Sequence, residues 1–372
     1  MHKYFSENWY QATEKFQRAT APFGGPMWCV AQSGTQYDIP YISIGSGDNV
    51  VVINSGVHGI EGYFGSAAQN MFLNDFVPYL GEQILRKYRI CVVHVINGWG
   101  MQHRMREVMD TTRGGLVDLN RNFGVDFAHP ENLPKNPKYA IAHPVLLSVP
   151  DAIGKKNMIH DFWRRHRHDG VWDAISYGQY YEPYGLFYGG AAPMIESQMA
   201  MSIYEKLCRG AKSVVSIGLH TGLGRYWRRE RKTTAHLLVS HPSSHKNTQY
   251  FQRVFAPAVR VVPDENAAHG PTLLGDMVDW IETRFAKHNV PVYTADFEIG
   301  TGEYPIMSPI YKRMDMGDAR YDLLHDGRIN DTTWDNLTES WYPSDAGWRE
   351  SALNNARILF RQLVQEMQRA SK

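Results

Sequence analysis

Four short apolar runs, at 51–53, 90–96, 214–217 and 290–294, constrain this chain more than any other feature. Each is too uniformly apolar for a strand with one wet face, so each predicts a strand covered on both sides. Between them, residues 65–76, 195–208, 244–255 and 276–287 have helical spacing. Buried strands alternating with helices imply an α/β fold, with a mixed, largely parallel sheet and helices on both faces. With 372 residues, 43% of them hydrophobic, there is enough chain for one such domain over 1–372.

Three segments stand outside the alternation. Residues 3–20 read as an amphipathic helix, with Tyr4, Phe5, Trp9 and Phe16 on one stripe. Residues 124–192, rich in Pro, Asn, His, Tyr and Gly, read as a loop-rich insertion with one helix. Its basic aromatic stretch from His160 to His168 reads as a solvated face, with a rim over a pocket as the functional alternative. A helical extension over about 306–372 closes the chain, and its 346–369 stretch repeats Leu353, Ala356, Leu359, Leu363 and Met367 at helical spacing.

Composition then removes several function classes. Lys+Arg 39 against Asp+Glu 38 leaves a net charge of +1, which gives no reason to expect nucleic acid or an anionic membrane as partner. No run approaches the length of a membrane span, and MHKYFSENWYQATEKF has no apolar signal core. Cys29, Cys91 and Cys208 are too few and too scattered for a disulfide framework or a thiolate metal site. A cytoplasmic location is the expectation. No G-x-S-x-G elbow, phosphate loop or dinucleotide fingerprint is present.

Each apolar run leads into polar residues. VVINSG precedes His58-Gly59-Ile60-Glu61, RICVVHVIN precedes Gly98-Trp99-Gly100 with Arg104 and Arg106, SVVSIGL stops at His220, and PVYTADF stops at Glu298. Ligands of open α/β sheets bind beyond the carboxyl ends of strands, so these groups can share one cleft. His58 and Glu61, three apart, face the same way on one turn. With His220 they make a two-His, one-Glu set, which leaves a fourth zinc position open as catalysis requires. With 16 His in the chain, about one H-x-x-E is expected by chance, so the pair gains weight only from its company.

That company is Val117-Asp118-Leu119-Asn120-Arg121-Asn122-Phe123, followed by LHTGLG and FEIGT. Together these motifs resemble the zinc carboxypeptidase family, in a poorly characterised bacterial branch, from about residue 51 to 305. The resemblance implies a mixed eight-stranded sheet with a single Zn2+ at its carboxyl edge, in one catalytic domain. It implies His58, Glu61 and His220 as ligands, and Asp118 as the acid that orients His58. Asn120 and Arg121 would hold the substrate's terminal carboxylate, and Glu298 would be the general base. Arg106 would polarise the scissile carbonyl, with Arg104 and the more distant Arg113 as alternatives. Asp279, in the pair Asp279-Trp280, would line the specificity pocket. Asp296 and Glu303 are rival acids to Glu298. One departure is plain: the family's mobile Tyr has no counterpart in Ala268-His269-Gly270-Pro271-Thr272, so either His269, Tyr226 or Tyr304 covers the substrate or the role is absent.

The implied reaction is hydrolysis of a C-terminal amide bond by zinc-activated water, on a peptide or acyl-amino-acid substrate with a free carboxylate. Two alternatives remain. One is an N-acyl amino acid deacylase of the succinylglutamate desuccinylase and aspartoacylase type. The other is a catalytically inactive peptide-binding relative.

Overall fold

The eight strands of one mixed sheet are β1 (Met27–Cys29), β2 (Ile39–Ile44), β3 (Asn49–Ser55), β4 (Tyr88–Val95), β5 (Ser213–Trp227), β6 (Ala235–Val239), β7 (Arg260–Pro263) and β8 (Val292–Gly302). They come from a computed structural model that describes residues 2–30, 37–147, 154–239, 245–263, 275–286, 290–303 and 307–371. Across the sheet the order is β1-β2-β4-β3-β5-β8-β6-β7, and a short ninth strand, Lys232–Thr233, pairs with β5 off this path. The central strands β4, β3, β5 and β8 are parallel neighbours, while the β1–β2, β2–β4 and β6–β8 pairs are antiparallel. The carboxyl ends of β3, β5 and β8 therefore meet at one edge.

Side-chain alternation splits the strands between two apolar layers. Val51, Ile53, Ile90 and Val92 belong to one layer, and Val50, Val52, Cys91 and Val93 to the other. Helices α1 (Trp9–Thr20), α2 (Gly62–Asp75), α4 (His245–Phe255) and α8 (Ala346–Ser371) supply the first layer; α3 (Ile195–Leu207) and α5 (Met277–Ala286) supply the second. This is the doubly covered sheet that uniformly apolar strands require. Leu353, Ala356, Leu359, Leu363 and Met367 of α8 are all buried. The remaining labelled helices are α6 (Met307–Asp326) and α7 (Asp331–Trp341). No described helix is long and apolar enough to cross a membrane.

Two features differ from the sequence pattern. β5 and β8 do not stop at His220 and Glu298 but pair onward to Arg225 and Gly302 through an irregularity at Gly300–Gly302. Gly222, Gly224 and Gly300 carry that extension, and without side chains they leave no apolar pattern to read. Among its described residues the insertion holds three α-helices rather than one, at Tyr139–Leu146, Gly154–His166 and Val171–Tyr177. Each turns a few apolar residues inward, among them Ile159, Phe162, Trp172 and Ile175. The charged residues of the His160–His168 stretch stay in solvent while Phe162 packs inward, which is a solvated face.

Away from the sheet edge, His94 on β4 is fully buried, 3.1 Å from Gln69 Oε1 and stacked on Phe16 at 4.4 Å. Burial pushes its pKa down to about 3. The unfolded chain takes up this proton near pH 6.5 and the folded chain does not, so stability falls as pH drops below 6.5. The expected loss is about 2 kcal/mol at pH 5 from this residue. Melting temperatures of wild type and His94→Leu at pH 7, 6 and 5 check this: the wild-type curve should fall more steeply.

Candidate metal centre

The chain leaves β3 at Ser55 and enters a 3-10 turn, Gly59–Glu61, with His58 at its N-cap. That turn is fastened from outside: Gly59 N donates to Arg106 O at 3.0 Å and Ile60 N to Met105 O at 2.8 Å. His58 Nδ1 lies 2.9 Å from Glu61 Oε1, and His220 Nδ1 lies 3.1 Å from Glu61 Oε2. Thr221 N donates to the same Oε2 at 2.9 Å. Each of the three side chains offers a ligand atom, and these atoms lie within 4.8 Å of one another. All three side chains are buried.

These residues fit a metal ion. His58 Nδ1 is buried and has no hydrogen-bond partner despite its closeness to Glu61, the arrangement expected of two groups aimed at a third. Acids also surround both imidazoles. Burial would lower the His220 pKa, but Asp296 and Glu61 outweigh it and carry it up to about 10. A cage that draws protons onto its histidines this strongly is one that favours a cation.

Each imidazole has an acid behind it. Asp118 Oδ1 is 3.4 Å from His58 Nε2, and Asp296 Oδ1 is 3.4 Å from His220 Nε2. Such partners fix the tautomer and orientation of a metal-bound imidazole. Gly218 makes the second pair possible: a Cβ there would stand 2.4 Å from Asp296 Oδ1. Asp296 thus faces His220, while Glu298, beside His220 in the β5–β8 register, accepts from Leu223 N at 3.4 Å. Burial lifts the Glu298 carboxyl to about 7, with His220 opposing and Glu61 and Asp296 adding to it. Glu303 is remote from this group and pairs with Arg228.

Among the arginines, the structure brings Arg106 into the site. Its Nη1 donates to Asp118 Oδ2 at 2.5 Å and its Nη2 is 2.6 Å from His58 Nε2. Its guanidinium lies 5.1 Å from the Phe187 ring centre and 5.3 Å from that of Trp341. Arg104 is exposed against Trp334, and Arg113 is exposed beside Asp110.

The VDLNRNF stretch is largely occupied in holding the fold. Asn120 Nδ2 donates to Asp276 Oδ2 at 2.8 Å, and Asn120 Oδ1 accepts from Met277 N at 3.0 Å. Asn122 ties down Gly189 O and Met194 N. Arg121 is buried and, among the described residues, donates only to carbonyls, Asn120 O at 2.6 Å and Ser176 O at 2.7 Å. Its Nε–H has no hydrogen-bond partner, and Arg121 forms no ion pair among the described residues. Asp276 rather than Asp279 is the acid against Asn120; Asp279 follows on the first turn of α5. Tyr226 is buried and donates to Asp345, so it does not cover the site, and His269 and Tyr304 lie outside the described residues.

Lys312 on α6 escaped the sequence reading, because nothing in a helix pattern distinguishes it from a surface lysine. It is buried, donates to Gly222 O and, at 2.6 Å, to Thr301 Oγ1, and lies 4.7 Å from the Trp341 ring centre. Burial lowers its ammonium to about 8 while Glu298 and Glu61 pull the other way. It joins β5 just beyond His220 to β8 just beyond Glu298.

Comparison with known proteins places the fold. The family profile described as protein of unknown function DUF2817 matches residues 5–355. No curated protein matches the sequence. Among solved structures, bovine thrombin-activatable fibrinolysis inhibitor in complex with tick carboxypeptidase inhibitor is 10% identical. Its TM-score is 0.56, over 100% of both chains. A second structure of thrombin-activatable fibrinolysis inhibitor is 12% identical at a TM-score of 0.52, covering 96% of this chain and 74% of that one. Carboxypeptidase A from Helicoverpa armigera is 11% identical at 0.48, covering 90% and 74%. The fold is that of the metallocarboxypeptidases, as the motifs imply.

Proposed function

The chain belongs to the DUF2817 family, and we propose that it is a zinc-dependent, carboxypeptidase-like hydrolase that releases the C-terminal residue of a peptide. One observation supports this above the others. A buried His-Glu-His cage stands at the same sheet edge as Arg121, a buried guanidinium with no carboxylate partner among the described residues. Asp118 and Asp276 feel its charge without an ion-pair contact to it. A buried cation lacking a contacting counter-ion is costly, so an anionic ligand is its natural complement.

His58, Glu61 and His220 would hold a zinc ion, which would supply Lewis acidity and make water a nucleophile near neutral pH. Glu298 Oε takes the proton of the attacking water and returns it to the leaving nitrogen, and a carboxyl near neutrality suits both steps. Arg106 offsets the charge that develops on the carbonyl oxygen. Arg121 holds the terminal carboxylate, fixing which bond is presented. Asn120 acts by keeping Arg121's loop against α5, since both ends of its amide are engaged.

The test is a panel of blocked dipeptides, their C-terminal amides, and N-acetyl and N-succinyl amino acids, read by mass spectrometry beside metal analysis. Cleavage of the free-carboxylate peptides but not of their amides is expected, with one zinc per chain. Turnover of the small acyl amino acids alone would make the protein a deacylase. Peptide binding without turnover would make it an inactive relative.

A further inference from the structure

Three described non-glycine residues have a left-handed backbone: Arg104, Phe187 and Arg231. The two arginines are exposed, whereas Phe187, at φ 54°, is buried. A bulky aromatic residue in this conformation is strained, and such strain persists only where its surroundings impose it. The surroundings are explicit. Gln179 N donates to Phe187 O at 3.2 Å, Gly189 N to Gln179 O at 2.8 Å, and Asp118 N to Tyr188 O at 2.7 Å. The loop thus runs against the VDLNRNF stretch. Gly178 admits no side chain at the crossing, because a Cβ there would stand 2.7 Å from Phe187 O and 3.1 Å from Arg121 Nε.

The strained backbone aims one ring at two cations. Its centre is 5.1 Å from Arg106 Cζ and 6.0 Å from Arg121 Cζ. An aromatic face attracts a guanidinium, so one ring offered to both offsets their mutual repulsion where both are buried. We infer that Phe187 is a positioning residue: it fixes the gap between Arg106 and Arg121, and with it the span between scissile carbonyl and terminal carboxylate that a substrate must match. The first half stands on geometry alone; the second rests on the proposed peptidase reading. It also makes the insertion a wall of the substrate site.

Two variants test this. Phe187→Leu keeps an apolar side chain without the aromatic face. Phe187→Asn removes the ring while tolerating a left-handed backbone. Crystal structures of wild type and both variants should show the two guanidinium groups displaced relative to each other by about 1 Å or more, enough to cost much of a well-aligned interaction. On the best panel peptide, KM should rise about tenfold or more with kcat changed less, the pattern of lost binding rather than lost chemistry. Unchanged arginine positions in both variants overturn the inference whatever the kinetics. Displaced arginines with wild-type KM overturn its substrate half. If wild type cleaves nothing in the panel, the peptidase reading fails, and the crystal structures still decide the role of the ring.

Discussion

Glu298→Gln is expected to retain one metal ion per chain and to lose hydrolysis by about 10²–10⁴-fold, the range that removal of a general acid–base group produces. The substitution is nearly isosteric. The carbonyl oxygen of the introduced amide can still accept from Leu223 N, so the local packing survives. The three ligand side chains are untouched, and each retains the partner behind it: Asp118 for His58, Asp296 for His220, and Thr221 N for Glu61. What disappears is a carboxylate able to take a proton near neutral pH. Elemental analysis and initial rates on one preparation check both halves. A variant that cleaves at the wild-type rate moves the base elsewhere, with Asp296 the next acid along β8. A variant that loses metal as well would show that Glu298 belongs to the cage.

The framework of this site was legible in the sequence because its chemistry sits where regular patterns break. Apolar runs stop where strands deliver side chains to the sheet edge, and the residues at those stops, His58, Glu61, His220 and Glu298, are brought together. Asp118 stood out for a different reason: it belongs to a stretch whose wording is specific, and the structure places it behind His58. What stayed hidden is contact made by residues of unremarkable local pattern. Lys312 sits in a helix whose composition looks like surface, yet α6 drives it inward to Thr301, where it feels the charge of Glu298. Phe187 lies in a loop-rich insertion with no periodicity, and only the folded loop turns its ring to two arginines. The reach of β5 and β8 beyond the site was illegible because glycines continue the pairing without apolar side chains.

Arg320→Met should destabilise the protein by about 3–5 kcal/mol, the cost of leaving a buried charge without its partner. Arg320 on α6 is fully buried, and its Nη2 lies 2.8 Å from Glu107 Oε1. It also donates to Met316 O at 3.0 Å and Gly185 O at 3.3 Å, so one side chain joins the C-terminal extension, the insertion and the loop that carries Arg106. Without it, Glu107 keeps, among the described residues, only the more distant Arg106 Nη1, at 3.7 Å, as an ion-pair partner. Arg106 then feels a competitor for Asp118, and the loss of stability should be accompanied by weaker hydrolysis. Urea unfolding of wild type, Arg320→Met and the double variant Arg320→Met/Glu107→Gln separates the causes. The double variant removes the stranded charge and should recover part of the loss; if it recovers none, the cost lies in Arg320's contacts to the two carbonyls and not in its ion pair.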